Sequence, residues 1–435
     1  MTQLATYLVA GFAVTDHVLR VPLDWADQSW GMIDLFYREV TAVDRRHDDL
    51  PLLVYLPDGP GWPAPRPVPD VAWLAEAVKT YRVILPDPRG TGRSNPVDGE
   101  DMARFDNPPE AAWYLRRFLA DSIIRDVDQV RRQQYAGRPW TVLGQGFGGF
   151  LALTYLSGFP EALNACLIAG GLPGVPPSAS DVYRRAFPTA ERKTRDFYRR
   201  HPRAQQAAGA VADRLAEGDV VLPNGDPLSV RRFQMVGAGL GTTRGPERLH
   251  WLLDDAFARP GRLSDPFLYA VMNLTAGADR ALWRPLQEFI HASGAGGPLE
   301  WAAAHEFERH PEFASTARPL LFFAGMTFPW MFADIYELRP FGPAVERLMH
   351  EVDWPNLYDP KRLSENNVPV EAVVFHDDLF VDAGLQLETL PGVDGAHAWV
   401  TNEFEHDGLT HDPVVFAHLQ RALVARGGHR VAKKP

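Results

Sequence analysis

The segment with the most chemistry in it is Val142-Leu143-Gly144-Gln145-Gly146-Phe147-Gly148-Gly149, which runs from an apolar, β-rich stretch into an uncharged helical one. Its glycines at 144, 146 and 149 spell Gly-x-Gly-x-x-Gly, a turn that suits a dinucleotide pyrophosphate on a helix N-terminus. That reading needs an acidic residue at the end of the next strand to bind ribose, and the stretch ending near Ala169 delivers Gly170 and Gly171 instead. No cofactor is expected. The same turn has the frame of a nucleophile elbow, Gly-x-Ser-x-Gly, in which a sharp strand-to-helix bend lifts a hydroxyl above a sheet. Gly144-Gln145-Gly146-Phe147-Gly148 matches that frame with Gly146 in the serine's place.

Two further loops accompany the turn. Leu56-Pro57-Asp58-Gly59-Pro60-Gly61 follows one predicted strand, where backbone donors for an oxyanion would sit, and Asp87-Pro88-Arg89-Gly90-Thr91-Gly92-Arg93-Ser94 follows the next. Near the C-terminal end, His376, Asp377, Asp378, His397, His406 and Asp407 are metal-ligand types, but none has the His-Glu-x-x-His spacing that sets two imidazoles on one helical face. No metal site is expected.

The elements that must carry these loops are legible as short apolar runs at Val18–Leu23, Gly31–Val40, Leu52–Leu56, Arg82–Leu85, Trp140–Leu143 and Ala165–Ala169. Between them, Pro69–Thr80 and Glu110–Ala136 read as helices, the second with Leu115, Leu119, Ile123, Val127 and Val130 on one stripe. Strands alternating with helices predict an α/β fold with a mostly parallel sheet covered on both faces. After Gly171 the texture turns helical, and strand-like runs return only at Val370–Phe375 and Ala396–Thr401, before a closing helix at Pro413–Arg426. A helical cap inserted into the sheet is the expectation, with the core at residues 1–172 and 366–435 and the cap at 173–365. The last residues, Gly427 to Pro435, read as a frayed basic tail.

Composition narrows the function. Of 435 residues, 44 are Lys or Arg and 55 are Asp or Glu, a net charge of −11, and no long basic block exists to neutralise phosphates. Nucleic acid is excluded as a partner. The lone Cys166 excludes an internal disulfide framework and fits a reducing cytoplasm. Met1–Thr15 lacks a basic n-region and a convincing cleavage site, so no signal peptide is expected. The uncharged run Pro139–Pro160 is broken by five glycines and reads as strand, turn and helix rather than a membrane span. The expected partner is a small or peptide-like molecule; oligomeric state is not legible.

Taken together, the loops resemble the prolyl aminopeptidases (proline iminopeptidases) of the α/β-hydrolase fold, in their longer bacterial form with an enlarged helical cap. The resemblance spans nearly the whole chain. It is carried by Gly59-Pro60-Gly61-Trp62-Pro63-Ala64-Pro65-Arg66, Arg89-Gly90-Thr91-Gly92-Arg93-Ser94, the elbow, Pro329-Trp330-Met331-Phe332, Asp377-Asp378-Leu379-Phe380-Val381-Asp382 and Glu405-His406-Asp407-Gly408. The resemblance implies a serine peptidase removing N-terminal proline, with the acid at Asp378, the base at His406 and the nucleophile at Gly146. Asp377 and His411 are the rival acid and base. It also implies oxyanion donors from Phe147 and the Gly59 segment, and a substrate pocket with Trp62, Trp330 and Gly325.

Four departures from the family pattern shape the expected function. Glycine offers no hydroxyl at position 146, and loss of a catalytic serine costs about 10⁶ in kcat. Pro57 has no N–H to donate, and an ionised Asp58 would repel a developing oxyanion. The family binds the substrate amine with glutamates, and the corresponding positions, Gly325 and Asn273 or Leu274, carry no carboxylate. What remains is Asp378 and His406 with Asp58 across the pocket mouth: acid and base without a nucleophile. The expected function is acid/base chemistry on, or binding of, a small or peptide-like molecule. A prolyl aminopeptidase in a nucleophile-disabled form and a catalytically silent binding protein are the alternatives.

Overall fold

A computed structural model describes residues 2–294 and 296–428. Residues 429–435, most of the predicted tail, lie outside that range. The strands are β1 (Thr2–Val9), β2 (Phe12–Pro22), β3 (Met32–Ala42), β4 (Leu52–Leu56), β5 (Arg82–Pro86), β6 (Trp140–Gln145), β7 (Leu163–Ala169), a short hairpin β8 (Phe257–Arg259) and β9 (Arg262–Leu263), then β10 (Val370–Phe375) and β11 (Ala396–Thr401). The helices that matter here are α1 (Pro108–Arg116), α2 (Ala120–Gln134), α3 (Phe147–Gly158), α4 (Ala179–Arg200) and α5 (Pro413–Ala425).

Nine strands form one sheet in the order β1-β2-β3-β5-β4-β6-β7-β10-β11. The first three are antiparallel, as is the β3–β5 pair, and every pairing from β5 to β11 is parallel. The parallel strands are buried on both faces, so their side chains alternate between two cores rather than between core and water. In β4, Leu52, Val54 and Leu56 join Ile123, Val127 and Val130 of α2. Leu53 and Tyr55 join Trp73 and Leu74 on one side of the chain and Val415, Phe416 and Leu419 of α5 on the other.

The chain leaves β4 toward β5 and returns to form β6 on the opposite side of β4. Loops leaving the C-terminal ends of β4 and β6 therefore diverge and open a crevice between them, the place where open α/β sheets bind ligands. Asp58 follows β4 and Gly146 follows β6. Asp378 follows β10 and His406 follows β11 at the same sheet edge.

Between β7 and β10 the chain adds helices and the β8–β9 hairpin but no strand to the large sheet, among the described residues. These helices share a core of their own, including Phe187, Phe233, Phe267, Phe322 and Met331. That core also recruits Leu115 and Phe118 from before β6. The apolar stripe that reads as one helix over 110–136 is accordingly two: α1 faces the inserted helices and α2 faces the sheet. The break falls at Leu119, which is extended at φ −97°, ψ 176°. It frees the Arg117 carbonyl to accept from buried Arg89 at 3.0 Å. Strand β1 was not legible in the sequence, because all eight of its residues are exposed and leave no burial pattern. No helix among the described residues is long and apolar enough to cross a membrane.

Candidate active site

Gly146 is held at φ +51°, ψ −119° by its own N–H on Ala169 O, at 3.0 Å, and by Gly149 N–H donating back to its carbonyl, at 2.9 Å. A positive φ with that ψ is strained for any residue with a side chain, which is the backbone of a strand-to-helix elbow. Gly148 serves packing: a β-carbon there would meet Leu56 O at 2.0 Å, so α3 can lie this close to β4 only without one. Phe147 opens α3, and its N–H belongs to the first helical turn, whose amides have no partner within the helix. Its ring is buried against the sheet.

His406 is the hub of the site. Its Nδ1 lies 2.8 Å from Asp378 Oδ2, and its Nε2 lies 3.2 and 3.3 Å from the two carboxylate oxygens of Asp58. The ring is buried and rests 4.9 Å from the Phe380 ring, centroid to centroid. The backbone around it is also tied: His406 N–H donates to Gly241 O at 3.2 Å, and Gln145 Nε2 donates to the His406 carbonyl at 3.4 Å. Asp378 is fully buried, and its other oxygen accepts the N–H groups of Phe380 and Val381 at 2.8 and 3.1 Å. Those two amides aim one oxygen and leave the other for the imidazole.

Burial alone would push the His406 proton off, but the charges of Asp378 and Asp58 outweigh it and raise the pKa well above 6.5. The resting ring is an imidazolium between two carboxylates, an acid rather than the near-neutral base that a lone acid–histidine pair suggests. Asp58 goes beyond facing His406 across a pocket mouth. A β-carbon built on Gly146 would stand 1.9 Å from Asp58 Oδ1 and 2.9 Å from His406 Nε2. The carboxylate from the β4 loop thus fills the space a side chain at the elbow would take.

The other expected site residues surround this center at different ranges. Gly59 has φ +70°, and a β-carbon on it would strike the Trp62 indole at 2.7 Å. Trp62 packs edge-on against Trp283 and under the Arg280 guanidinium, 3.8 Å away, which seats it against the inserted helices. Its Nε1 is buried without an acceptor among the described residues. A β-carbon on Gly325 would lie 3.3 Å from the Phe380 ring, one ring removed from His406. Trp330 belongs to another aromatic group, stacked on Phe328 and beneath Arg231. The rival acid Asp377 pairs with Arg192 at the surface, and the rival base His411 pairs with Asp407 one helical turn away.

Several residues at the site carried no sequence signal. Helix α4 is pinned to the loops after β10 and β11 by Arg192–Asp377, Arg185–Asp382 and the Lys193–Glu405 ion pair. Phe380 also lines a small cavity with Phe150, Leu172, Asp181 and His291. Asn273 and Leu274 lie on an exposed part of the helix Asp265–Ala276, so neither stands where an amine would be bound. A different carboxylate, Glu288, is buried in the insertion: one oxygen accepts Ala303 N–H at 2.9 Å, and Oε2 has no partner among the described residues. Burial raises its pKa to about 8. Among the described residues no group of three or more His, Cys, Asp or Glu side chains is arranged to hold a metal ion.

The sheet and the strand-end site define a class, and residues 60–327 match the family model for the alpha/beta hydrolase fold. A proline iminopeptidase of Aeromonas sobria is 40% identical over 414 residues, covering 95% of this chain and 96% of that one. The proline iminopeptidase aneH of Aspergillus aculeatus is 31% identical over 401 residues, covering 89% and 88%. The chain belongs to the α/β-hydrolase fold family and, within it, to the proline iminopeptidases.

Proposed function

We propose that this member of the proline iminopeptidase family does not cleave by serine acyl transfer, and instead moves protons on a small or peptide-like molecule through Asp58, His406 and Asp378. The observation that carries the reading is the Asp58 carboxylate lying in the space of an elbow side chain, within hydrogen-bond reach of His406. No hydroxyl or thiol stands there to form an acyl-enzyme. An imidazolium acid and a carboxylate base of unlike environment are the equipment for directed proton transfer, as in elimination, cyclisation, isomerisation or water-mediated hydrolysis. The cap boundaries near 173 and 365 and a cytoplasmic location complete the proposal; the single, buried Cys166 supports the second.

The test is direct. The purified chain should release no chromophore from a proline anilide above background, and a fluorophosphonate probe should leave it unlabelled. Labelling anywhere in the crevice would overturn the reading.

A further inference from the structure

We propose that Asp58 is the attacking group of this site, and that it opens epoxides of small molecules through an ester formed on its own carboxylate. The proposal deepens the reading above and rests on it: Gly146 stands where the family carries its serine, and Asp58 has taken over the position from a different loop.

Geometry comes first. The Asp58 Oδ1 atom is 1.9 Å from the β-carbon position of residue 146, and the carboxylate is 3.2 Å from His406 Nε2. A serine hydroxyl at the elbow would occupy nearly that volume and make that hydrogen bond. Asp378 holds the far side of the imidazole at 2.8 Å. The arrangement is a triad with carboxylate, imidazole and carboxylate in series.

The nucleophile's chemistry selects the substrate. A carboxylate attacking an amide carbonyl would give an anhydride, which is less stable than the amide and reverts to it. Attack on a saturated carbon gives an ester, which water can later hydrolyse. The leaving group must then suit the acid beside it. His406 rests as an imidazolium, so a departing alkoxide would be protonated as its bond breaks, and ring strain in an epoxide supplies driving force. Trp62 Nε1, buried without an acceptor and packed on Gly59 next to Asp58, offers that oxygen a second donor.

The steps balance. Asp58 Oδ forms a bond to an epoxide carbon as the ring C–O bond breaks, and the ring oxygen takes the proton from His406 Nε2. The now neutral imidazole removes a proton from water, whose oxygen attacks the ester carbonyl carbon of Asp58. The acyl C–O bond breaks, the second alcohol departs with a proton from His406, and a further proton from the water oxygen restores the imidazolium. The net reaction is epoxide plus water giving a vicinal diol, with no oxidant or reductant.

The experiment uses the full chain in excess over styrene oxide in heavy-oxygen water, with mass analysis of the diol and of the peptide that carries Asp58. The expected result is diol with ordinary oxygen and one heavy oxygen in the Asp58 peptide. Asp58→Asn, which keeps the side-chain shape, should lower diol formation by at least about 1,000-fold. Acid quenching of the wild type during turnover should show a protein mass increase equal to the epoxide, whereas His406→Gln, which removes the ring-opening acid as well as the hydrolytic base, should form neither adduct nor diol at the wild-type rate. Heavy oxygen in the diol and none in the peptide would overturn covalent attack while leaving the proton-transfer reading intact. Absence of both diol and adduct would overturn the proposal as well, whereas failure of the broader reading is registered separately by fluorophosphonate labelling.

Discussion

Asp58 and Gly146 cannot both carry side chains of ordinary size: the Asp58 carboxylate oxygen lies 1.9 Å from where a β-carbon on residue 146 would stand. The two positions act as one unit, since the glycine makes the space and the aspartate fills it. Whichever side chain enters the space also becomes the neighbor of His406.

Serine at position 146 should therefore fail on its own. Gly146→Ser forces the new β-carbon into the Asp58 carboxylate and should lower stability by about 1–3 kcal/mol, as overpacking does. It should restore no cleavage of a proline anilide. Pairing it with Asp58→Gly relieves the collision and returns a hydroxyl to His406, so the double variant should melt above the single one and react with a fluorophosphonate. Melting curves and probe labelling of the three proteins check this.

The charge state of His406 follows from its neighbors. With Asp378 and Asp58 raising its pKa well above 6.5, the folded state holds a proton that the unfolded state releases near 6.5. The resulting stability is fully present below about pH 6.5 and is lost as pH rises through the folded-state value. Asp378→Asn or Asp58→Asn should each lower the imidazole pKa, by more than about one unit. An NMR titration of His406 that places the wild-type ring near 6.5 would contradict the imidazolium assignment.

Glu288 works over a different pH range. Its folded-state pKa is raised from 4.5 to about 8, so the folded protein keeps a proton that the unfolded chain gives up. Stability from this group falls as pH rises from 4.5 to 8, then levels off, a total of about 3–5 kcal/mol. Glu288→Gln keeps the acceptor for Ala303 N–H and cannot ionise. It should flatten that slope and exceed the wild type in stability at pH 9, as measured by denaturant unfolding.

Arg89 should prove structural. It makes a two-point contact with Asp126, at 2.6 and 2.7 Å, and donates to the carbonyls of Pro22, Leu23 and Arg117, with the guanidinium fully buried. Arg89→Ala should cost about 3–5 kcal/mol by leaving Asp126 charged and unpaired, and Arg89→Lys should recover only part of it. Arg93 is half-exposed on Asp16, so its loss should be mild by comparison. Denaturant midpoints rank the three.

The sequence by itself determined the parts whose cause is local. Strands β4, β10 and β11 were legible to the residue because short apolar runs bounded by turn residues have few other ways to bury themselves. The elbow was legible because a glycine turn between strand and helix is a local backbone requirement. Asp378 and His406 were singled out through the resemblance of their loops to the prolyl aminopeptidases, and the structure brings the two within 2.8 Å. Tertiary structure decided what no window of sequence contains. β4 and β6 are sheet neighbors, so Asp58 swings into the volume that Gly146 leaves empty and turns a base into a doubly clamped acid. Leu115 and Ile123 sit on one stripe, yet they face different cores, so one predicted helix becomes two. Glu288 became a buried, half-partnered carboxyl only once the insertion closed around it. Spacing reports the period of a local structure; steric exclusion and charge between distant loops depend on which strands lie side by side.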